Sequence, residues 1–251
     1  WMLFLKVFDQ REEEWEDAAK DRGKPYESPL PEECRWRNWA AYKDGKPQIA
    51  ANELIAFINN QLFPNLKAIE IADKLVNKVI RQIFEDSNNY MKSGTLMLGV
   101  IEKLDEAVNF HDFTTRQNLG DIYEQILNDL RAAGNAGEFY TPRAITHIMV
   151  QLVNPRLDKR EKVMDPACGT GGFLTATIDH LRGQLTDHSS AEDKQAIEQS
   201  ITGVEKKQLP HLLCTTNLLL HGIDVPSQAD RYNTLGRAWN DWGKNEKVEC
   251  V

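Results

Sequence analysis

Apolar residues recur every three or four positions through the first half of the chain. Leu54, Ile55, Phe57, Ile58 and Leu62 form one series, and Ile69, Ile71, Leu75, Val79, Ile80 and Ile83 a second. Leu96, Leu98, Ile101 and Leu104 form a third, and Leu119, Ile122, Ile126 and Leu130 a fourth. This spacing predicts amphipathic helices. Turn-like stretches at Asp44-Gly45-Lys46-Pro47 and Met91-Lys92-Ser93-Gly94 separate them. From about Gly134 the texture changes. Lys162-Val163-Met164-Asp165 reads as a short buried strand, followed by a glycine-rich turn and a helix from about Phe173 to Leu181. A polar loop (Thr186–Ser190) and a short charged helix lead to a second strand, Ile201–Glu205. Pro210 suits the first turn of the next helix, which runs to about Leu220. Val248-Glu249-Cys250-Val251 looks like a strand cut short by the chain end. Alternating strands and helices imply a parallel sheet. The predicted fold class is α/β: an all-helical domain over residues 1–130, then the first part of a Rossmann-like domain over 131–251.

Composition narrows the class. Of 251 residues, 41% are hydrophobic and 27% charged, as in an ordinary globular protein. No apolar run approaches the roughly 20 residues needed to span a bilayer, so no membrane partner is expected. No basic leader with a cleavage site is visible, and position 1 is Trp rather than Met. The chain is therefore expected to start inside a longer reading frame and to act in the cytoplasm. Cysteines at 34, 168, 214 and 250 form no Cys-x-x-Cys pair, which argues against a zinc site or a disulfide framework. The net charge of −8 argues against self-sufficient DNA binding, which leaves a basic footprint. The acid-rich stretch Gln10–Asp17 is read as a solvated helix face. Arg35-Trp36-Arg37-Asn38-Trp39 could stack on bases. The preferred reading makes both Trp side chains core or interface anchors with Arg stems lying over them.

Three features carry candidate chemistry. The first is Asp165-Pro166-Ala167-Cys168-Gly169-Thr170-Gly171-Gly172-Phe173, which follows a strand and opens a helix. Glycines let the backbone approach a ligand closely, and the carboxyl edge of such a sheet is where ligands bind. The pattern is not Gly-x-Gly-x-x-Gly. Asp165 before the turn suits a cationic amino group and would repel a pyrophosphate. The second feature is Glu205, an acid closing the second strand and placed to accept two ribose hydroxyls. Its plain alternative is a solvent-facing acid beside Lys206 and Lys207. The third is Gly137-Glu138-Phe139-Tyr140-Thr141-Pro142-Arg143, with Thr141 as a helix cap and Pro142 as first helical residue. Alone it marks a helix start.

Together these segments resemble the N6-adenine DNA methyltransferases, and in particular the modification subunit of type I restriction–modification systems. The resemblance covers nearly the whole chain, including Trp36–Trp39 and Asp121-Ile122-Tyr123 of the helical part. It implies S-adenosylmethionine as cofactor. The segment Glu138, Phe139, Tyr140, Thr141, Pro142 and Arg143 would contact its methionine part. Asp165, Gly169, Thr170, Gly171 and Gly172 would wrap methionine and sugar, and Glu205 would bind the ribose. Asp224, after Leu220-His221-Gly222-Ile223, would sit near the adenine. The partners implied are double-stranded DNA, a specificity subunit that reads the sequence, a second modification subunit and a restriction subunit. No metal is implied.

The catalytic (Asn/Asp/Ser)-Pro-Pro-(Tyr/Phe) motif of that family is absent from residues 1–251, so no catalytic residue is assigned. It is expected just after the strand that Val248–Val251 begins. The implied reaction is direct methyl transfer to adenine N6, on a base flipped from its stack. No cysteine follows a proline, as the nucleophile of a cytosine-C5 methyltransferase would. Two alternatives are a nicotinamide-dependent oxidoreductase and a non-catalytic assembly module that keeps the cofactor fold. An RNA or protein methyltransferase is a third.

Overall fold

The computed structural model describes residues 1–71, 74–108, 123, 125, 127, 141–243 and 246–251. The chain divides into two compact units, Trp1–Leu119 and Gly120–Val251. The fourth predicted helical stretch, from Leu119 to Leu130, lies mostly outside the described residues. Within it Tyr123 and Leu127 are buried helical positions.

The first unit is helical, as its periodicity predicts. Its described helices are α1 (Met2–Asp21), α2 (Trp36–Trp39), α3 (Ala51–Phe57), α4 (Phe63–Lys67), α5 (Leu75–Phe84) and α6 (Gly94–Ala107). A π-helical turn, Ile58–Leu62, joins α3 to α4 immediately ahead of Pro64, which cannot donate to a regular helical ladder. The second apolar series does not form one helix. Ile69 is buried beyond the end of α4, and the next helix starts only at Leu75, itself exposed. Both predicted turns are present: Asp44 and Gly45 adopt positive φ, and Ser93 caps α6 by accepting from Leu96 N.

The acid-rich stretch departs from the solvated face read from its composition. Within it Glu12 is 0% exposed, and Asp9 just before it is 2% exposed. Arg37 Nε donates to Asp9 Oδ1 at 3.0 Å and its Nη1 to Glu16 Oε2 at 2.8 Å, while Arg35 Nη1 donates to Glu16 Oε1 at 3.3 Å. The sequence Arg35-Trp36-Arg37 explains the arrangement. Trp36 and Trp39 enter the core at 1% and 2% exposure, which turns both guanidiniums onto the acids of α1. With their rings buried, these tryptophans are not a base-stacking platform. Asp105 joins the same region from α6. It accepts from Lys6 Nζ (2.7 Å), Trp36 Nε1 (3.0 Å) and Tyr42 N (3.2 Å).

The second unit is built on a three-stranded parallel sheet in the order β1 (Val163–Asp165), β2 (Ile201–Val204), β3 (Ala229–Asp230). Val163 pairs with Ile201, Asp165 with Gly203, and Val204 with Asp230. On the other side of β1, Cys250 forms an isolated parallel bridge with Val163, within the Val248–Val251 stretch read as a strand. The helices are α7 (Arg143–Val153), α8 (Gly172–Arg182), α9 (Ala191–Gln199) and α10 (Gln208–Leu220). Leu174, Ile178, Ile201, Cys214, Leu218 and Ala229 build one core between helices and sheet. β3 was not expected, because two residues are too few to show alternation. Among the described residues no helix is long and apolar enough to cross a membrane.

Removing Arg37 leaves buried Asp9 without its main cation. Arg37→Ala is expected to destabilise the chain by about 3 kcal/mol at neutral pH. Burial lifts the Asp9 carboxyl to about 6 even with Arg37 present. Lowering the pH from 7 to 5 protonates Asp9 in the variant, so the deficit should shrink over that interval. Urea unfolding of both proteins at the two pH values checks this. A deficit that stays constant or grows would contradict it.

Candidate functional site

The carboxyl edge of the sheet collects the chemistry. Each of the three strands ends in or just before an acid: Asp165 closes β1, Glu205 follows β2 and Asp230 closes β3. Glu205 is the most heavily braced. Its Oε2 accepts from Gly169 N at 3.0 Å and its Oε1 from Lys207 N at 2.6 Å. Each carboxylate oxygen has a second lone pair, so the brace leaves acceptor capacity for ligand hydroxyls. The plain reading of Glu205 as a solvent-facing acid does not hold, since it is half-buried and bonded to the glycine turn. Asp165 Oδ1 accepts from Ala167 N at 3.1 Å, which folds the carboxylate over the start of the turn. Burial, and secondarily the negative charge of Glu205, raise the Asp165 pKa above the usual carboxylate range.

The turn itself is held from three sides. Gly169 and Gly171 adopt φ of +54° and +83°. A Cβ at Gly171 would lie 2.8 Å from Cys214 Sγ. Buried Asn217 of α10 donates to Thr170 O at 3.1 Å, and Thr234, just after β3, donates to Pro166 O at 2.6 Å. A Cβ at Gly203 in β2 would meet Leu174 Cδ1 at 2.6 Å and Cys168 Sγ at 3.0 Å, so glycine there lets the turn and α8 close onto the sheet. Cys168 and Cys214 are buried with their sulfurs 3.9 Å apart. Their mutual contact and their burial push the Cys168 thiol well up, which leaves it a packing group rather than a nucleophile. His211 of α10 is held neutral by burial, with Nε2 3.0 Å from Ala229 O.

The segment ahead of α7 is placed only in part. Glu138, Phe139 and Tyr140 lie outside the described residues. Thr141 and Pro142 are exposed. The helix begins at Arg143 with Pro142 in the cap position and no side-chain cap, one residue later than the sequence suggests. A Cβ at Gly172 would sit 3.7 Å from Thr146 Cγ2, so the first turn of α7 packs on the glycine turn. Arg143 donates to His147 Nε2 at 3.3 Å and lies 3.7 Å from Asp179 of α8.

Asp224 is not brought to this edge. It lies exposed in the loop between α10 and β3, and in a parallel sheet that loop returns the chain to the amino ends of the strands. Gly222 of the same loop packs against Arg182, the last residue of α8, which is also the far end. The acid of this region that does reach the edge is Asp230, whose carbonyl accepts from Glu205 N at 2.9 Å. The signal for it was available, as an acid directly after an apolar residue in the same place as Asp165 after Met164.

Comparison with known proteins gives the family. A family model described as N-6 DNA Methylase matches residues 114–251, and one described as HsdM N-terminal domain matches residues 1–104. The chain belongs to the N-6 DNA methylase family. It is 49% identical over 253 residues to the EcoEI type I restriction enzyme methylase subunit of Escherichia coli, covering 100% of this chain and 49% of that subunit. It is 29% identical over 224 residues to the StySPI methylase subunit of Salmonella potsdam, covering 86% of this chain and 39% of that one. A solved Vibrio vulnificus YJ016 chain described as a modification subunit of a type I restriction enzyme is 36% identical. It superposes with a TM-score of 0.78 over 99% of this chain and 52% of its own. The chain thus spans about half the length of the relatives it matches.

Gly171→Ala tests the tightness of the turn. Positive φ and the Cys214 contact together predict a loss of about 1–3 kcal/mol in unfolding free energy. Adding Cys214→Ala should recover only part of it, because the backbone strain remains. Full recovery in the double variant would show that φ imposes no constraint there.

Proposed function

We propose that this chain is the cofactor-binding portion of an S-adenosylmethionine-dependent DNA adenine-N6 methyltransferase that works as the modification subunit of a type I restriction–modification complex. The observation that carries this reading is the carboxyl edge itself: Asp165 and Glu205 flank a positive-φ glycine turn and share its N–H groups. Two adjacent carboxylates suit a ligand bearing a cation and vicinal hydroxyls, and disfavour the pyrophosphate of a nicotinamide dinucleotide. The residues present therefore fit a sulfonium nucleoside. Asp165 would hold the ammonium of the amino-acid tail, and the Gly169–Gly172 backbone would wrap it. Glu205 would accept the ribose hydroxyls. Asp230 would take the adenine-side place that the resemblance gave to Asp224. Thr141 to Arg143, at the start of α7, would close the amino-acid end together with Glu138, Phe139 and Tyr140.

When bound, the cofactor would supply an electrophilic methyl group. The contribution of this chain is to fix its orientation, so that transfer becomes a matter of alignment with the flipped base. The described residues include no metal-binding cluster, and no residue of this chain is assigned proton transfer or nucleophilic attack. The EcoEI and StySPI relatives are methylase subunits of restriction enzymes. Double-stranded DNA, a specificity subunit, a second modification subunit and a restriction subunit are the partners proposed on that basis, with the cytoplasm as the setting.

Titration calorimetry with S-adenosylmethionine discriminates the assignments. Asp165→Ala and Glu205→Ala should each weaken binding by about 10- to 100-fold, the scale of a charge-assisted hydrogen bond. Asp230→Ala should weaken it measurably and Asp224→Ala should leave it unchanged. Binding of NAD in place of the sulfonium nucleoside would overturn the reading.

A further inference from the structure

The glycine turn is braced by Glu205, Asn217 and Thr234, and these braces stand on different supports. Glu205 directly follows β2 and Asn217 lies within α10, so backbone ladders hold both. Thr234 has no such support. It opens a three-residue 3-10 turn, Thr234–Gly236, in the connection that leaves β3 at Arg231 and reaches the Val163 bridge only at Cys250. Among the described residues this connection holds one further 3-10 turn, Trp239–Asp241. Loops longer than about 12–15 residues without regular structure are uncommon in compact domains and are usually functional. Something other than a ladder must keep the Thr234 hydroxyl 2.6 Å from Pro166 O.

Arg237, the residue after the first 3-10 turn, supplies that support. Its Nη1 and Nη2 donate to the two carboxylate oxygens of Glu246, each at 2.7 Å, and Nη2 also donates to Asp241 O at 2.6 Å. The guanidinium lies 4.2 Å from the centre of the Trp242 ring and 6.0 Å from that of Tyr232. Glu246 in turn accepts from Gly243 N. One side chain thus gathers Tyr232 from the start of the loop, Asp241 and Trp242 from its middle, and Glu246 from near its end. An isolated exposed ion pair contributes little, but a bidentate fork that is also stacked on an aromatic ring has the geometry that holds a loop. We propose that Arg237 is a positioning residue for the ligand edge: its clamp holds the loop after β3 so that Thr234 fixes Pro166, and with it the turn that would wrap the ligand. A turn that keeps its binding geometry only part of the time binds more weakly in proportion. The class of ligand rests on the function proposed above; the coupling of Arg237 to the turn does not.

The test compares Arg237→Ala, Thr234→Val and the double variant in the full-length protein, with Arg156→Ala as control. Arg156 forms a similar two-pronged pair with Asp158, but in the loop that precedes β1, at the amino end of the sheet. Circular dichroism verifies that each variant is folded. Without ligand, amide hydrogen exchange over residues 167–172 should quicken by about threefold or more in Arg237→Ala, and by less in Glu246→Gln, which weakens the same clamp from its other side. With S-adenosylmethionine, Arg237→Ala and Thr234→Val should each weaken binding by about three- to tenfold. The double variant should be within about twofold of the weaker single one, because both substitutions remove one brace. Arg156→Ala should change neither reading. Unchanged exchange in the glycine turn of Arg237→Ala, losses that multiply in the double variant, or an equal loss in Arg156→Ala would each overturn the inference. If the wild-type protein does not bind the sulfonium nucleoside, the proposed function fails, and the exchange measurement alone decides whether Arg237 positions the turn.

Discussion

Glu205 is the group on which the ligand edge depends. It sits one residue beyond β2, yet it bonds Gly169 in the turn that leaves β1 and Lys207 at the start of α10. One carboxylate thus fixes two backbone positions, Gly169 and Lys207, that are 38 residues apart in sequence. Hydrogen bonds to a charged acceptor contribute about 1.5–3 kcal/mol each, more than neutral ones. The same charge lies close enough to Asp165 to help raise its pKa, after burial. An edge built this way is electrostatically incomplete: it holds two acids near each other and relieves their repulsion when a cation arrives between or beside them. The positively charged ligand proposed for this edge is consistent with the way the turn is held in place.

The glycine turn, both longer strands and all four helices of the second unit were legible because each has a local cause. Asp165-Pro166 ends a strand, the positive-φ glycines permit the turn, and apolar spacing at Leu174, Ile178 and Leu181 continues as a helix. The features that were not legible have non-local causes. β3 is two residues long and is defined by pairing with Gly203 and Val204 rather than by its own pattern. Asp224 came from the resemblance alone, and that its loop precedes β3 is visible only from the pairing of β3 with β2. The burial of Glu12 depends on arginines more than 20 residues away. A charge run by itself cannot show that its counter-charges are held inward by tryptophans.

That last point changes how the net charge should be read. The acids of α1 and the arginines of α2 neutralise one another within the first unit, as do Lys6 and Asp105. Partial burial strengthens these pairs relative to exposed ones, but it also removes Arg35 and Arg37 from the set of cations that could reach a phosphate. The basic–aromatic stretch is therefore a packing device. Trp36 donates its indole N–H to Asp105 and Trp39 donates to Cys34 O, so both rings are committed at their polar tips as well as on their faces. A chain of this family that uses its most conspicuous Arg-Trp motif to close its own core has little left with which to read bases. Under the proposed function, an acidic cofactor subunit leaves sequence recognition to the proposed specificity subunit, which fits a chain with few free cations in this region. The charge balance, which on composition alone argued against a DNA-modifying role, becomes an argument about how that role is divided.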